Sequence, residues 1–150
     1  MNYKKIEELG RLCKKKGNKF YISNNLKLAI KLKCDGVYLS AFNRKHNFIN
    51  KATPKKFEFI GSAHNQREII EKENQGCEKI FISPVFKNKK SNHYLGLNKF
   101  NNLSLKTKKK IIALGGIDER NYKMLNSLNC NGFAAITWIK KNGPRKLGPF

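Results

Sequence analysis

Six short apolar runs alternate with segments of helical spacing, and this alternation restricts the chain to a parallel α/β architecture. Each run is bounded by turn residues and is too short for a helix, so each predicts a strand. The runs lie at residues 19–22, 36–40, 57–61, 79–83, 110–114 and 132–137. The last two contain IIAL and FAAI, which lack polar alternation, as expected of strands covered on both faces.

The segments between the strands predict helices. Residues 25–33 have helical spacing, and residues 65–75 place Ile69 and Ile70 on the face that we expect to turn inward. Strand and helix therefore alternate along most of the chain.

An internal repeat supports this pattern. Cys34, Cys77 and Cys130 each separate a helix end from a strand start, so we interpret them as tight helix-to-strand packing sites. Repeated βα units close either as an open doubly wound sheet or as a barrel. No GxGxxG pattern follows the first strand, and the Gly-Gly pair occurs late in the chain, which favours a TIM-like (β/α) barrel.

Composition indicates a single domain, residues 1–150, in the cytoplasm. The chain is 39% hydrophobic, which is enough to bury a core. No stretch approaches the roughly 18 consecutive apolar residues of a membrane span, and residues 1–17 are charged throughout. The four cysteines form no CxxC pair, which indicates free thiols in a reducing compartment.

The net charge of +22 favours anionic ligands and raises the question of nucleic acid. Only five of the 32 basic residues are arginine, the residue that base and phosphate recognition favours, and the lysines are spread along the chain. A compositional bias toward lysine and asparagine explains the charge equally well. Nucleic acid is therefore not the expected partner, whereas phosphorylated small molecules are.

The loops after the last two predicted strands carry the features of a phosphate site. In βα barrels the active site forms at the carboxyl ends of the strands, and phosphate often binds in the last two loops. Gly115 and Gly116 let backbone N–H groups approach an anion, and Ile136 and Thr137 begin the segment after the sixth strand. A plain tight turn would also account for the glycines.

Two further loops at the same edge carry polar groups. Ser62 and His64 end the third strand, where His64 would point into a barrel mouth; the alternative is a surface histidine beside an Asn65 N-cap. The fourth strand leads into a long basic loop, residues 87–97, which suits a lid over a diphosphate; the alternative is a solvated lysine run.

These segments resemble the thiamine phosphate synthase and thiazole tautomerase family, in order, from about residue 20 to residue 139. The matching segments are FYISNNLKLAIKLKCDGVYLS, IGSAHN, GCEKIFISPVFKNKK, LGLNKF, IIALGGI and NGFAAI. The resemblance implies that hydroxymethylpyrimidine diphosphate loses pyrophosphate and that the nitrogen of thiazole phosphate attacks the resulting cation.

The resemblance also implies residue roles at matched positions. Gly116, Ile136 and Thr137 would hold thiazole phosphate, and Ser62 would meet the pyrimidine diphosphate. Asn88 and Lys90 would serve the diphosphate from the lid.

The chain departs from the family pattern at two places. The two aspartates that bind magnesium in the family align with Asn24 and Asn43, and neutral amides bind Mg²⁺ more weakly than carboxylates. Residues 1–17 match the second helix, so the chain is expected to hold about six of the eight βα units. Exposed edges then predict self-association or a partner chain, unless the helix at residues 3–16 covers the gap with Ile6, Leu9 and Leu12 inward.

Three kinds of function remain open from the sequence. The first is a synthase of the family type that is either impaired or dependent on a partner chain to supply the missing wall of the barrel. The second is a thiazole tautomerase-like isomerase that uses His64 as acid and base and needs no metal. The third is a non-catalytic phosphate-binding or regulatory protein.

Overall fold

A computed structural model describes residues 3–46, 53–88 and 92–142, and its described strands form one parallel sheet in sequential order from β1 to β6. The strands are β1 (Tyr21–Ser23), β2 (Gly36–Leu39), β3 (Glu58–Ala63), β4 (Lys79–Ile82), β5 (Lys110–Leu114) and β6 (Gly132–Ala134). The helices are α1 (Tyr3–Lys15), α2 (Leu26–Lys31), α3 (Gln66–Asn74), α4 (Gly96–Ser104) and α5 (Thr137–Asn142), with a 3-10 helix at Tyr122–Ser127.

The parallel α/β prediction is confirmed, since each predicted run overlaps one strand; β1 and β3 extend one and two residues past their runs. The sixth strand ends earlier than predicted, at Ala134, because the chain turns there into α5 at Thr137. Sequential strand order is that of consecutive βα units in a barrel; a doubly wound sheet would reverse its order at a switch point. Among the described strands, β1 and β6 are each paired on one side only.

The two faces of the sheet differ in burial. Side chains alternate across a strand, and on one face Val37, Ile80 and Ala113 are fully buried in the core beneath the helices. The opposite face carries Tyr38 and Phe81, whose rings meet edge to face at 6.0 Å and are only half-buried. The sheet therefore has one closed face and one partly open face.

Helix α3 turns a different face inward than the sequence suggested. Ile69 is buried as expected, but Ile70 is 48% exposed, so its predicted inward position is wrong. Each helical residue rotates by about 100°, and the inward positions one turn and two turns after Ile69 are taken by Lys72 and Gln75. Two polar residues thus occupy core positions on this helix.

Helix α1 packs through a narrow face. Ile6 contacts the core, and Gly10 lies against Phe20. Leu9 and Leu12 are each 48% exposed, so the expectation that both turn inward to cover the sheet is wrong. The contact face follows the spacing of residues 6, 10 and 13, and Leu9 and Leu12 lie beside it. No helix among the described residues has the length and apolarity to cross a bilayer.

Candidate functional site

The loops that follow the six strands meet at the carboxyl edge of the sheet, which we call the mouth. Parallel pairing places all strand ends on the same edge. The described candidate residues in or next to these loops are Asn24, Asn43, Ser62, His64, Asn88, Gly115, Gly116, Ile136 and Thr137. Lys90, the predicted lid lysine, lies outside the described residues.

Asn24 and Asn43 contact each other directly. Asn43 Nδ2 donates to Asn24 Oδ1 at 3.0 Å, and the Ser40 backbone N–H donates to the same oxygen at 3.0 Å. Asn24 Nδ2 donates in turn to the hydroxyls of Ser23 and Ser40. Asn43 Oδ1 accepts from the Lys45 N–H at 3.0 Å. The two positions that the sequence resemblance suggested as metal ligands are therefore adjacent and hydrogen-bonded to each other.

This amide pair does not fit Mg²⁺. The ion prefers charged oxygen ligands in nearly ideal octahedral geometry. Both amide oxygens here are neutral and already accept hydrogen bonds, and one of those bonds runs between the two residues. The described residues also contain no group of three or more His, Cys, Asp or Glu side chains that could hold a metal.

Ser62 lies below the rim of the mouth. Its side chain is on β3, the residue is 5% exposed, and its Oγ accepts from the Ala41 N–H at 3.0 Å. The serine thus joins β3 to the loop after β2.

His64 is exposed at the end of β3 and is held by its neighbour strand. Its Nδ1 lies 2.7 Å from the Ser83 carbonyl oxygen, which can only accept, so Nδ1 carries a proton in this contact. In the neutral ring, Nε2 then keeps the lone pair. The Asn65 N-cap of the alternative interpretation is also present, with Oδ1 accepting from Glu68 N at 3.0 Å.

Gly115 and Gly116 are required by packing between two loops. Both have positive φ, 96° and 72°, a region that side chains disfavour. A Cβ on Gly115 would lie 2.7 Å from Pro84, and one on Gly116 would lie 2.7 Å from the Lys87 carbonyl oxygen. The tight-turn explanation therefore holds whether or not an anion binds, and the phosphate role of these glycines stays a prediction.

The loop after β6 is open to solvent. Ile136 is 63% exposed, and Thr137 is exposed at the start of α5. Register pairs Leu114 with Ala134, so this loop is the direct neighbour of the Gly115–Gly116 turn. The two predicted halves of a phosphate cradle are side by side.

Sequence reasoning missed Ser83, Lys72 and Gln75, which all contact loops of the mouth. Ser83 was assigned only to a strand end. Lys72 and Gln75 follow Ile69 at intervals of three residues, which places all three on one side of the segment that forms α3 and its end. That spacing was the sequence signal that could have indicated that both polar residues face the core.

Comparisons with known proteins agree in family and fold. The family model described as thiamine monophosphate synthase matches residues 2–139. A thiamine-phosphate synthase of Prochlorococcus marinus is 30% identical over 136 residues, which cover 89% of this chain and 39% of that protein. One from Limosilactobacillus reuteri is 27% identical over 139 residues, covering 88% of this chain and 63% of that protein. The chain thus spans between about two fifths and two thirds of these relatives.

A solved structure shows the same fold. The thiamine phosphate pyrophosphorylase from Pyrococcus furiosus superposes with a TM-score of 0.73 at 19% identity, over 91% of this chain and 67% of that one. At this identity the likeness bears on the fold alone.

Proposed function

The chain belongs to the thiamine monophosphate synthase family, and from that membership we propose that it condenses hydroxymethylpyrimidine diphosphate with thiazole phosphate. The products are thiamine phosphate and pyrophosphate. The observation that carries the proposal is the family match over residues 2–139 together with the meeting of the matched loops at one edge of the sheet.

The proposed reaction breaks one bond and forms another. The C–O bond between the pyrimidine methylene and the diphosphate breaks, and the diphosphate leaves with the electron pair. The thiazole nitrogen then gives its lone pair to the methylene carbon, so no proton has to move. Catalysis of this kind depends on stabilising the departing charge and on holding the nitrogen close to the carbon.

Thiazole phosphate is assigned to the loops after β5 and β6. Backbone N–H groups near Gly115, Gly116 and Ile136, with the Thr137 hydroxyl, would surround the phosphate. The adjacency of these loops supports the assignment.

The diphosphate is assigned to Ser62, Asn88 and Lys90. Asn88 is half-buried in the loop after β4, and Ser62 would offer its hydroxyl hydrogen while its oxygen accepts from Ala41. Because Asn24 and Asn43 replace carboxylates, we propose that lysine charge rather than a tightly bound Mg²⁺ offsets the diphosphate.

A tautomerase-like isomerisation is the second candidate. The contact between His64 Nδ1 and the Ser83 carbonyl would orient the ring and leave Nε2 for proton transfer. The relatives reported above are named as synthases, which favours the condensation. We also propose that the protein is cytoplasmic and that its partners are small phosphorylated molecules.

An assay with both substrates tests the function. We expect the purified chain to form thiamine phosphate and pyrophosphate in equal amounts, and His64→Gln to retain synthase turnover. Isomerisation of a thiazole without condensation, lost in His64→Gln, would favour the tautomerase instead. Failure to form either product would contradict the enzymatic proposal.

A further inference from the structure

A lysine side chain lies fully inside the molecule next to the mouth. Lys72 on α3 has no exposed surface, although lysine is almost never fully buried. Its stem packs against the sheet where β3 carries Gly61, and a Cβ on that glycine would lie 2.7 Å from Lys72 Cδ. The missing side chain at Gly61 therefore makes the passage for the lysine.

The buried amine binds two neutral acceptors. Lys72 Nζ donates to the Asn43 carbonyl oxygen and to Gln75 Oε1, each at 2.7 Å. Burial lowers the pKa of Lys72, and an amine donates to both acceptors in either protonation state.

Gln75, also fully buried, completes the arrangement. Its Nε2 donates to the carbonyl oxygens of Asn43 at 2.8 Å and Lys45 at 3.0 Å. Two buried side chains, Lys72 in the last turn of α3 and Gln75 directly after its end, thus hold the two backbone carbonyls that flank Arg44. Leaving such buried polar groups without hydrogen-bond partners costs free energy. The loop is therefore held in the position that gives both side chains their partners.

We propose that Lys72 and Gln75 form a clamp that fixes the loop after β2, residues 41–46, and thereby positions Asn43 against Asn24 and Arg44 at the mouth without a metal ion. Two facing carboxylates would repel and would need a cation between them. Here the two amides are hydrogen-bonded directly to each other. The loop is also held from inside the protein, by the hydrogen bond from Lys72 Nζ to the Asn43 carbonyl. Lys72 and Gln75 are positioning residues, and they do not touch the proposed substrates.

The loop also includes Arg44, which lies at a small cleft. Arg44 lines this cleft, near the ends of β2 and β3, together with a second arginine and two carboxylates; the lining residues are Ala41, Arg44, Asn65, Arg67, Glu68 and Glu71. The catalytic consequence rests on the proposed function: a released loop should weaken binding of the pyrimidine diphosphate. Thiazole phosphate, assigned to the far loops after β5 and β6, should be unaffected.

Hydrogen exchange tests the clamp without any assay of activity. The N–H groups of Ala41, Asn43 and Lys45 are hydrogen-bonded within or beside the loop. In Lys72→Met we expect peptides from this loop to exchange about tenfold faster, the effect of losing roughly one hydrogen bond, while β4 and β5 exchange unchanged. Lys27→Met, at an exposed lysine of α2, is the matched control and should change nothing.

A second variant tests the clamp if Lys72→Met does not fold. Gln75→Leu places an apolar side chain of similar size in the core and should accelerate the same peptides about three- to tenfold. Added Mg²⁺ should leave exchange of the wild-type loop unchanged. Equal acceleration across the whole sheet, no acceleration in either variant, or slowing of the wild-type loop by Mg²⁺ would each overturn the clamp.

Kinetics separate positioning from general stability. Lys72→Met is expected to raise KM for the pyrimidine diphosphate several-fold and to leave KM for thiazole phosphate unchanged. General destabilisation would instead lower kcat and leave both KM values alone, which would overturn the positioning role. A wild-type chain with no synthase activity would refute the proposed function, while the exchange experiment would still decide on the clamp.

Discussion

Glu58 shows how single residues stabilise the amino edge of the sheet, opposite the mouth. Its carboxylate accepts from Tyr21 at 2.6 Å and from Lys79 at 2.8 Å, and it also pairs with Lys19. Burial acts to raise the pKa of this carboxyl, but the hydrogen bonds from Lys19, Lys79 and Tyr21 outweigh it and lower the pKa to about 2. Three strands are joined through this one side chain.

The lowered pKa predicts acid sensitivity. The ordinary pKa of the carboxyl is 4.5, so its stabilising effect is complete above about pH 4.5 and is lost as pH falls from there toward 2. Glu58→Gln should therefore lower the urea midpoint at pH 7 and shrink the difference between pH 7 and pH 3. Glu7→Gln, at an exposed carboxylate of α1, is the control. An unchanged difference in Glu58→Gln would contradict this account.

The amide pair predicts a weak response to metal. Synthase activity of the wild type should change little with Mg²⁺, whereas Asn24→Asp combined with Asn43→Asp should make activity depend on it, because two carboxylates restore charged ligands. Rates measured over a Mg²⁺ titration decide the matter. Strong activation of the wild type by micromolar Mg²⁺ would show that the amides bind the ion after all.

At the scale of elements, the loops after β4 and β5 depend on each other. Val85 N donates to the Leu114 carbonyl at 3.0 Å and Phe86 N to the Gly115 carbonyl at 3.1 Å, so the loop after β4 is hydrogen-bonded to the glycine turn where it begins. Leu95 N and Gly96 N return to the carbonyls of Pro84 and Val85 at 2.9 and 3.0 Å. The predicted lid loop, residues 87–97, is anchored at both of its ends.

A pair of glycine variants separates backbone strain from crowding. Gly17 and Gly116 have similar positive φ, 68° and 72°, but a Cβ on Gly17 would meet nothing within 4 Å. Gly17→Ala should therefore cost only the strain of the left-handed backbone, about 1–2 kcal/mol. Gly116→Ala should cost clearly more, because the Phe86 and Lys87 carbonyls would have to move. Equal free energies of unfolding for the two variants would refute the packing role.

The elements were predictable from the sequence where a local pattern governed them. β5 was predicted to the residue, since its apolar run is sharply bounded, and Asn65 caps α3 as its position suggested. The helical spacing that Lys72 shares with Ile69 was too weak a signal to predict a buried lysine, because its burial depends on Gly61 in a different strand. The contact between Asn24 and Asn43 likewise depends on how two loops meet in space.

At the scale of the whole molecule, the sheet has an open side. β1 and β6 each lack a second partner among the described strands. On the face opposite the helices, Tyr38, Phe81 and Ile112 are only half-buried, although Ile60 and Ser62 of the central strand β3 are buried there. Unpaired strand edges and uncovered apolar faces favour association. We therefore propose that the chain self-associates or docks to a partner chain.

Size-exclusion chromatography with light scattering tests this proposal. At modest salt we expect a mass above 17.3 kDa for the isolated chain, since the net charge of +22 opposes nonspecific aggregation. A monomer with a sharp, cooperative melting transition would contradict it and would mean that the sheet is stable with this face uncovered.

The central claim is that the mouth of this sheet binds thiazole phosphate through the loops after β5 and β6. Isothermal titration of thiazole phosphate into the wild type and into Thr137→Val measures it most directly, because Thr137 is exposed and its replacement leaves the glycine packing intact. We predict one site in the wild type and affinity about tenfold weaker in the variant, the effect of one lost hydrogen bond. No binding by the wild type, or equal affinity in both proteins, would contradict the account.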